Sequence, residues 1–398
     1  MSQFTAILDV GSSKMICLIC SSDGKGGVLV HGAGVCEYKG YKHGVFADEK
    51  NTVNAIERAI EAAEDECKRT VRHISVGVPA PFIQLVLQDA AVAPRRRGGF
   101  SQADVETLLD ESLNFDFPEG FELMHSTPVE FEVSGTARLE APIGVSAPEV
   151  RATVSHAFVD ARFKTLVGDT LRASAIQTDM FVAVPLAESL FIVPEEDRQY
   201  PRVLLDVGGT HTDVCVVKNG ALVDFRSIRI GGAHFASDIA YGLRLAVPVA
   251  ENIKRRYVYS LDYQDSIDIV KMPGGGMLRV DHEAIQYIVE ARSGELAGFI
   301  VEALGDMGVL ESFKPPVYLT GGGVALMRGS ADYFERCMGL NVEVRMPWMP
   351  RLSSPNYASA FAVMDFVMQS GGDEGQSRLE GAAERGGFLR AFRDFFEK

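Results

Sequence analysis

An apolar run that reaches an aspartate, turns over glycines and hydroxyl residues, and leaves as a second apolar run occurs twice in this chain. One copy is Ile7-Leu8-Asp9-Val10-Gly11-Ser12-Ser13-Lys14-Met15-Ile16-Cys17-Leu18-Ile19. The other is Val203-Leu204-Leu205-Asp206-Val207-Gly208-Gly209-Thr210-His211-Thr212-Asp213-Val214-Cys215-Val216-Val217. Flanks of strand length and β-branched content around a glycine-rich centre read as β-hairpins. A second hairpin follows each copy, at Val28–Glu37 and Ala221–Ile230. The tips carry what a phosphate needs: glycines for close backbone approach, hydroxyls that donate, and an acid able to hold Mg²⁺ through water. One such tip alone is equally an ordinary glycine-rich turn. Its repetition roughly half a chain apart implies two similar domains, each offering one Asp-tipped loop to a shared phosphate chain.

At 398 residues the chain is long enough for two domains with their own cores. Its hydrophobic content of 46% and charged content of 23% are those of a soluble globular protein. A net charge of −15 argues against nucleic acid as a partner, because phosphate backbones select basic faces. No apolar run approaches the ~20 residues of a membrane span, and Met1-Ser2-Gln3-Phe4-Thr5 lacks a basic, apolar leader. Cys17 and Cys20 stand three apart in a predicted strand and so point to opposite faces, unable to grip one metal. Buried, reduced thiols suit the cytoplasm.

Along the chain, apolar periodicity predicts a helix over Asn51–Arg69 (Val53, Ile56, Ile60, Ala63, Cys67) and a strand over His73–Val78. From Pro79 to about Ala173 the texture changes, which predicts an inserted subdomain. It holds a strand at Gln84–Val92, a loop with Arg95, Arg96 and Arg97, and a helix begun by a Ser101–Asp104 capping box. Extended segments at His125–Val133 and Val150–Val159 and a helix near Asp160–Ala173 complete it. The arginine triplet is a partner contact or a solvated rim. Strand Ile176–Val184 and helix Pro185–Phe191 cross to the second loop. Glu251 and Lys254 share a helical face, as a surface ion pair would. Strand Pro316–Thr320 opens into Gly321-Gly322-Gly323 and a helix expected from Val324, a geometry that lets backbone approach a flat or anionic ligand. Ser354–Gln369 is a last core helix. Ser370–Gly387 has little to bury and reads as a linker. In the tail, Phe388, Leu389, Phe392, Phe395 and Phe396 fall on one helical face, with Arg390 and Arg393 among the cations beside them. At about 18 Å this helix is too short to span a bilayer but suited to lie in its interface.

With both loops, the triple-glycine loop and the tail in place, the chain resembles the actin/Hsp70/sugar-kinase superfamily and, within it, the FtsA family of bacterial cell-division proteins. Asp9–Lys14 and Asp206–Asp213 stand as the two phosphate loops. Gly231-Gly232-Ala233-His234 and Ala250-Glu251-Asn252-Ile253-Lys254 resemble the family's next block, and Leu319–Gly323 its adenosine loop. Pro128-Val129-Glu130-Phe131 and Pro142-Ile143-Gly144-Val145-Ser146 resemble the FtsA insertion. The resemblance implies an α/β, actin-like two-domain fold with duplicated ribonuclease-H-like cores. Residues 1–78 with 174–200 would form subdomain 1A and 79–173 the inserted 1C. Residues 201–369 would form the second domain, with 2B about 225–305, followed by linker 370–387 and an amphipathic membrane helix over 388–398.

It further implies ATP with Mg²⁺ in the interdomain cleft, with Asp9 and Asp206 near the metal. Gly11, Ser12, Ser13, Gly208, Gly209, Thr210 and His211 would hold phosphates, with Lys14 in support. Gly231, Gly232, Glu251, Lys254, Gly321, Gly322 and Gly323 would flank the nucleoside. The implied role is an adaptor that polymerises with itself and tethers FtsZ filaments to the cytoplasmic face of the inner membrane. FtsZ's C-terminal tail would meet the helix Asp281–Leu304, with Arg292 and Glu295 as candidates, or those two form only a helical ion pair. Other division proteins would meet 1C, and anionic lipid the tail. Thr210-His211 replaces the usual third glycine and threonine, and Val184 replaces an acid that organises metal or attacking water in relatives, with Glu188 a substitute. Slow or undetectable ATPase activity is therefore expected. The alternatives are a small-molecule (sugar or acid) kinase of the same superfamily and a pilus-assembly adaptor resembling FtsA; a kinase would need an acceptor pocket with a catalytic acid.

Overall fold

The computed structural model describes residues 4–22, 27–39, 41–42, 45–94, 98–259, 267–272, 275–311, 314–347 and 354–370. Arg95–Arg97, the linker beyond Ser370 and the tail 388–398 lie outside them.

The first hairpin forms as the alternation predicts. Strands β1 (Phe4–Val10) and β2 (Lys14–Ser22) pair antiparallel with Asp9 opposite Ile16, and β3 (Val28–Glu37) follows on β2. A small ribbon, β4 (Tyr41–Lys42) with β5 (Val45–Phe46), precedes helix α1 (Glu49–Cys67), whose N-cap Asp48 accepts from the Asn51 N–H. The buried face of α1 is Thr52, Ala55, Ile56, Ala59, Ile60 and Ala63, smaller than the expected Val53-to-Cys67 stripe. The cause lies in β3: a Cβ on Gly34 would stand 1.8 Å from the Ala59 carbonyl oxygen, and one on Gly32 2.3 Å from that of Ala63. Glycines on the strand and alanines on the helix let the two backbones approach.

Strand β6 (His73–Val78) joins β1 in parallel, with Asp9 opposite Gly77. The chain then enters the insertion through β7 (Ile83–Val92), α2 (Gln102–Glu111), β8 (Phe121–Val133), β9 (Thr136–Arg138) and β10 (Val150–Asp160). These strands form a separate antiparallel sheet in the order β7-β10-β8-β9 around a core that includes Phe100, Leu108, Phe131 and Val154. The Ser101 N–H donates to Asp104 Oδ2 at 2.9 Å, as a capping box requires, and the Ser101 hydroxyl donates to the same oxygen at 2.6 Å. Helix α3 (Ala161–Ala173), grouped with the insertion by sequence texture, packs Phe163 against Phe46, Phe82 and Phe181. Strand β11 (Gln177–Ala183) and helix α4 (Val184–Ile192) complete this part, giving a first sheet ordered β11-β6-β1-β2-β3.

The second half repeats the plan. Strands β12 (Arg202–Val207), β13 (Thr212–Lys218) and β14 (Ala221–Ile228) are followed by α5 (Gly232–Gly242) and α6 (Val247–Arg256). Next come the ribbon β15 (Ile267–Lys271) and β16 (Met277–Asp281), α7 (His282–Asp306), β17 (Val317–Thr320), α8 (Ser330–Met338), β18 (Val342–Val344) and α9 (Ala358–Ser370). The sheet order β14-β13-β12-β17-β18 mirrors β3-β2-β1-β6-β11, and β17 runs parallel to both β12 and β18. The fold is thus the duplicated, actin-like α/β architecture with an inserted domain.

Contacts divide the chain into two units. Of the described residues, one holds those up to Tyr200 with Val216–Phe225 and 359–370; the other holds Pro201–Cys215 with those from Arg226 to Ala358. The sequence grouping of 201–369 therefore differs at two places. Residues 359–370 go with the first unit, where Phe366 meets the ring of His125 at 5.4 Å. The β13–β14 tip goes there too, because it is seated in the insertion. Lys218 Nζ reaches Glu130 Oε2 at 2.6 Å, and the Asn219 side-chain amide donates to the carbonyls of Val129 (3.0 Å) and Leu139 (2.6 Å). Asn219 also takes φ 48°, a left-handed conformation that asparagine adopts at less cost than alanine. Asn219→Ala is expected to lower stability by about 2 kcal/mol, read from a urea transition; a midpoint unchanged from wild type would show that the tip is not anchored this way.

Candidate functional site

Two loops are built alike, one in each unit. In the first, Gly11 N–H donates to the Lys14 carbonyl at 3.1 Å, closing the turn between β1 and β2. A Cβ on Gly11 would stand 2.8 Å from that same oxygen. Tyr38, just past β3, braces the loop from behind: its hydroxyl donates to the Gly11 carbonyl (2.9 Å) and its N–H to the Ser13 carbonyl (3.1 Å). Gly11, Ser12 and Lys14 are half-buried and Ser13 is exposed, so the tip reaches solvent. Asp9 at its base is buried, and its Oδ2 accepts from the Ser359 hydroxyl at 2.6 Å. Burial pushes the Asp9 carboxyl above the usual carboxylate range, opposed by the Ser359 hydrogen bond and the Lys14 charge. Beside it, a Cβ on Gly77 would meet Val184 Cγ2 and Val363 Cγ2 at 3.0 Å and Asp9 Oδ1 at 3.5 Å. Val184, at the start of α4, therefore lies near Asp9 as an apolar wall where an acid was expected to matter. Glu188, one turn further, is buried.

The second loop sits in a junction made almost wholly of glycine. Gly208 N–H donates to the His211 carbonyl (2.9 Å), the counterpart of the Gly11–Lys14 bond. The Gly232 and Ala233 N–H groups at the start of α5 donate back to the Gly208 and Gly209 carbonyls (2.9 and 2.8 Å), and Gly323 N–H to Val207 (2.7 Å). The three glycine pairs pack so closely that side chains are excluded. A Cβ on Gly231 would stand 2.7 Å from Gly208 O, one on Gly323 2.7 Å from the same atom, and one on Gly232 2.7 Å from Gly323 Cα. Gly321, at φ 91°, leaves room for Asp206: its Cβ would fall 2.1 Å from Asp206 Oδ1. Gly322 packs on Asn356. The sequence had called for a helix from Val324. The chain instead turns through 321–329, closes on a second left-handed glycine at Gly329 (φ 77°), and starts α8 only at Ser330. The Arg328 carbonyl is taken by Tyr259 N–H at 2.9 Å, and Val324 and Met327 are buried, which fixes the segment as a packed loop.

Lys254 is not the surface residue its spacing suggested. It is 3% exposed, with Nζ donating to the Gly232 carbonyl at 3.1 Å and paired with Glu251 Oε2 at 2.9 Å. Burial lowers its pKa, while Glu251 opposes the shift. Glu251 also takes Arg255 at 2.8 Å. The replacement of glycine-threonine by Thr210-His211 has a local account too. The Thr210 hydroxyl lies 3.1 Å from His211 Nδ1, and His211 Nε2 lies 3.8 Å from Asp213 Oδ2, whose other oxygen accepts from Ser227 at 2.6 Å. The imidazole thus folds back among polar neighbours of its own unit.

On α7, Arg292 makes a two-point contact with Asp238 of α5, at 2.6 and 3.0 Å, and pairs with Glu295. It ties two helices together besides forming the expected helical pair. Phe388, Leu389, Arg390, Phe392, Arg393, Phe395 and Phe396 lie outside the described residues. Among the described residues no helix is long and apolar enough to cross a membrane, and no group of three or more acids, histidines or cysteines could cage a metal by itself. Carboxylates such as those of Asp9 and Asp206 are of the donor type that magnesium takes while keeping most of its water. Sequence patterns missed Ser359, Asn356 and Tyr38. Ser359 is 350 positions from Asp9, and no local signal announces such a partner.

Comparison with known proteins agrees with this geometry. The family model described as "Cell division protein FtsA" matches residues 203–362, and "SHS2 domain inserted in FTSA" matches residues 83–156. The chain belongs to the FtsA family. Its relative in Pseudomonas aeruginosa, named "Cell division protein FtsA", is 24% identical over 385 residues, covering 94% of this chain and 92% of that one. Among solved structures, the PilM–PilN type IV pilus biogenesis complex contains a chain of the same fold. Its TM-score is 0.62 at 18% identity, over 90% of this chain and 97% of that one. MreB5 of Spiroplasma citri bound to ADP superposes with a TM-score of 0.54 at 12% identity, over 92% and 97%. The FtsA-type SHS2 match falls on the sheet of β7, β8 and β10, the part the sequence set apart as an insertion.

Proposed function

We propose that this protein is an ATP- and Mg²⁺-binding, actin-like cell-division protein that polymerises and tethers FtsZ filaments to the cytoplasmic face of the membrane. The observation that carries the reading is the pair of Asp-tipped hairpins in an FtsA-family chain, each closed by one glycine N–H on the carbonyl three residues on. Asp9 and Asp206 would hold the metal, largely through water. The backbone amides of Gly11–Ser13 and Gly208–Thr210 would bind phosphates, with Lys14 in support. Gly231, Gly232, Glu251, Lys254 and Gly321–Gly323 would face the nucleoside, Lys254 by holding the Gly232 carbonyl in place. The metal, when bound, screens phosphate charge; this chain's residues orient it and the phosphates.

Turnover is slow in this reading, since Val184 gives no carboxylate beside Asp9. Membrane attachment is assigned to Phe388, Leu389, Arg390, Phe392, Arg393, Phe395 and Phe396. The FtsZ tail is assigned to the α7 region near Arg292 and Glu295, and other division proteins to the insertion. The kinase and pilus-adaptor readings rest on likeness of fold alone. The test is ATP titration with Mg²⁺ of the wild type and Asp206→Ala. The variant is expected to bind at least about tenfold more weakly, or about 1.4 kcal/mol, with an unchanged unfolding midpoint. Equal affinity in a folded variant contradicts the assignment.

A further inference from the structure

We propose that Ser359, on the first turn of α9, is a positioning residue that orients the Asp9 carboxylate for the metal–nucleotide, an inference that rests on the ATP–Mg²⁺ reading above. Asp9 lies one residue before the end of β1, opposite Gly77, and is 3% exposed. A carboxylate at such a place turns freely about its last torsion unless something holds it, because that rotor is broad and two-fold. On the Gly77 side its neighbours are apolar: Val184 and Val363 both lie 3.0 Å from where a Gly77 Cβ would stand, and neither can donate a hydrogen bond. The Ser359 hydroxyl donates to Oδ2 at 2.6 Å, a charge-assisted geometry. That bond ties one oxygen and leaves Oδ1 on the Gly77 side, 3.5 Å from the Cβ position there.

Four serines that lie further along their helices use the hydroxyl differently. Ser189, Ser237, Ser293 and Ser370 each return their hydroxyl to the carbonyl four residues earlier, at 2.7–2.8 Å. Serine in helices commonly does so. Ser359 spends its hydroxyl on Asp9 instead. Outer-shell donors of this kind orient a ligating group, and losing one typically weakens metal affinity by about 10–100-fold.

The experiment measures ATP affinity by calorimetry, with Mg²⁺ and with EDTA, for the full chain and for Ser359→Ala and Ser359→Thr. Thermal unfolding of each variant reports its fold, and Ser359→Cys replaces the alanine variant should that one not fold. In Mg²⁺, Ser359→Ala is expected to bind ATP about tenfold more weakly, while its affinity in EDTA stays within about twofold of wild type; Ser359→Thr, which keeps the hydroxyl, restores most of the loss. Wild-type affinity for Ser359→Ala in Mg²⁺ overturns the inference. An equal loss with and without Mg²⁺ also overturns it, since that marks a merely structural contact. A wild-type chain that binds no ATP removes the functional reading itself, and with it the ground for this one.

Discussion

Gly321→Ala is expected to remove measurable ATP binding and to lower the unfolding free energy by about 3 kcal/mol. Two separate costs meet at this position. Its φ of 91° lies outside what an L side chain adopts without strain, and strain of this kind costs about 1–3 kcal/mol. The added methyl would also stand 2.1 Å from Asp206 Oδ1 and 2.5 Å from the Val207 carbonyl oxygen. Neither can be tolerated, so the carboxylate and the end of β12 must move. The same displacement takes Asp206 from the place assigned to it at the metal, which is why binding falls further than stability. Gly168→Ala in α3 is the control: its φ is not left-handed, and the added methyl would meet nothing within 4 Å. Calorimetry and denaturant titration of the two variants check this. Similar affinity for both would show that the close approach of Gly321 to Asp206 has no part in binding.

Phe392→Glu combined with Phe396→Glu is expected to abolish sedimentation with anionic vesicles. In the sequence these phenylalanines recur at helical spacing with Phe388, Leu389 and Phe395, and Arg390 and Arg393 add positive charge that anionic lipid attracts. Burying one large apolar side chain is worth about 1.5–3 kcal/mol at most, of which an interface captures part. Losing two therefore costs about 3 kcal/mol, a hundredfold or more in affinity. Single tails bind reversibly on this arithmetic, and assembly of many copies makes attachment durable through avidity. Unchanged pelleting of the double variant would show that the protein reaches lipid by another route. Because the tail is remote in sequence from Asn51–Arg69 and the other core segments, the variant should leave the unfolding midpoint unaltered.

Elements set by local pattern were legible from the residues. The hairpin strands, β6 and the Ser101–Asp104 capping pair form where alternation and spacing place them, and the repeated Asp-Val-Gly implied two similar domains, which the structure shows as two sheets of matching order. What escaped was decided by contacts between distant segments. The α1 face is made of alanines because Gly32 and Gly34 of β3 invite the helix close, which no period within α1 reveals. Val324 does not start a helix, because Gly323 and Arg328 give their backbone groups to Val207 and Tyr259. In the candidate site, acids and glycines were visible as types. The burial of Lys254 under the Gly232 carbonyl and the hand of Ser359 on Asp9 were not, since each depends on residues brought together by the fold.

The most direct test of the proposed role is co-sedimentation of purified FtsZ filaments with anionic vesicles in the presence of this protein. FtsZ is expected in the vesicle pellet when the full chain, ATP and Mg²⁺ are all present, and in the supernatant when the chain is left out. FtsZ that stays in the supernatant with every component present, while the protein itself pellets with the vesicles, would contradict the tethering role.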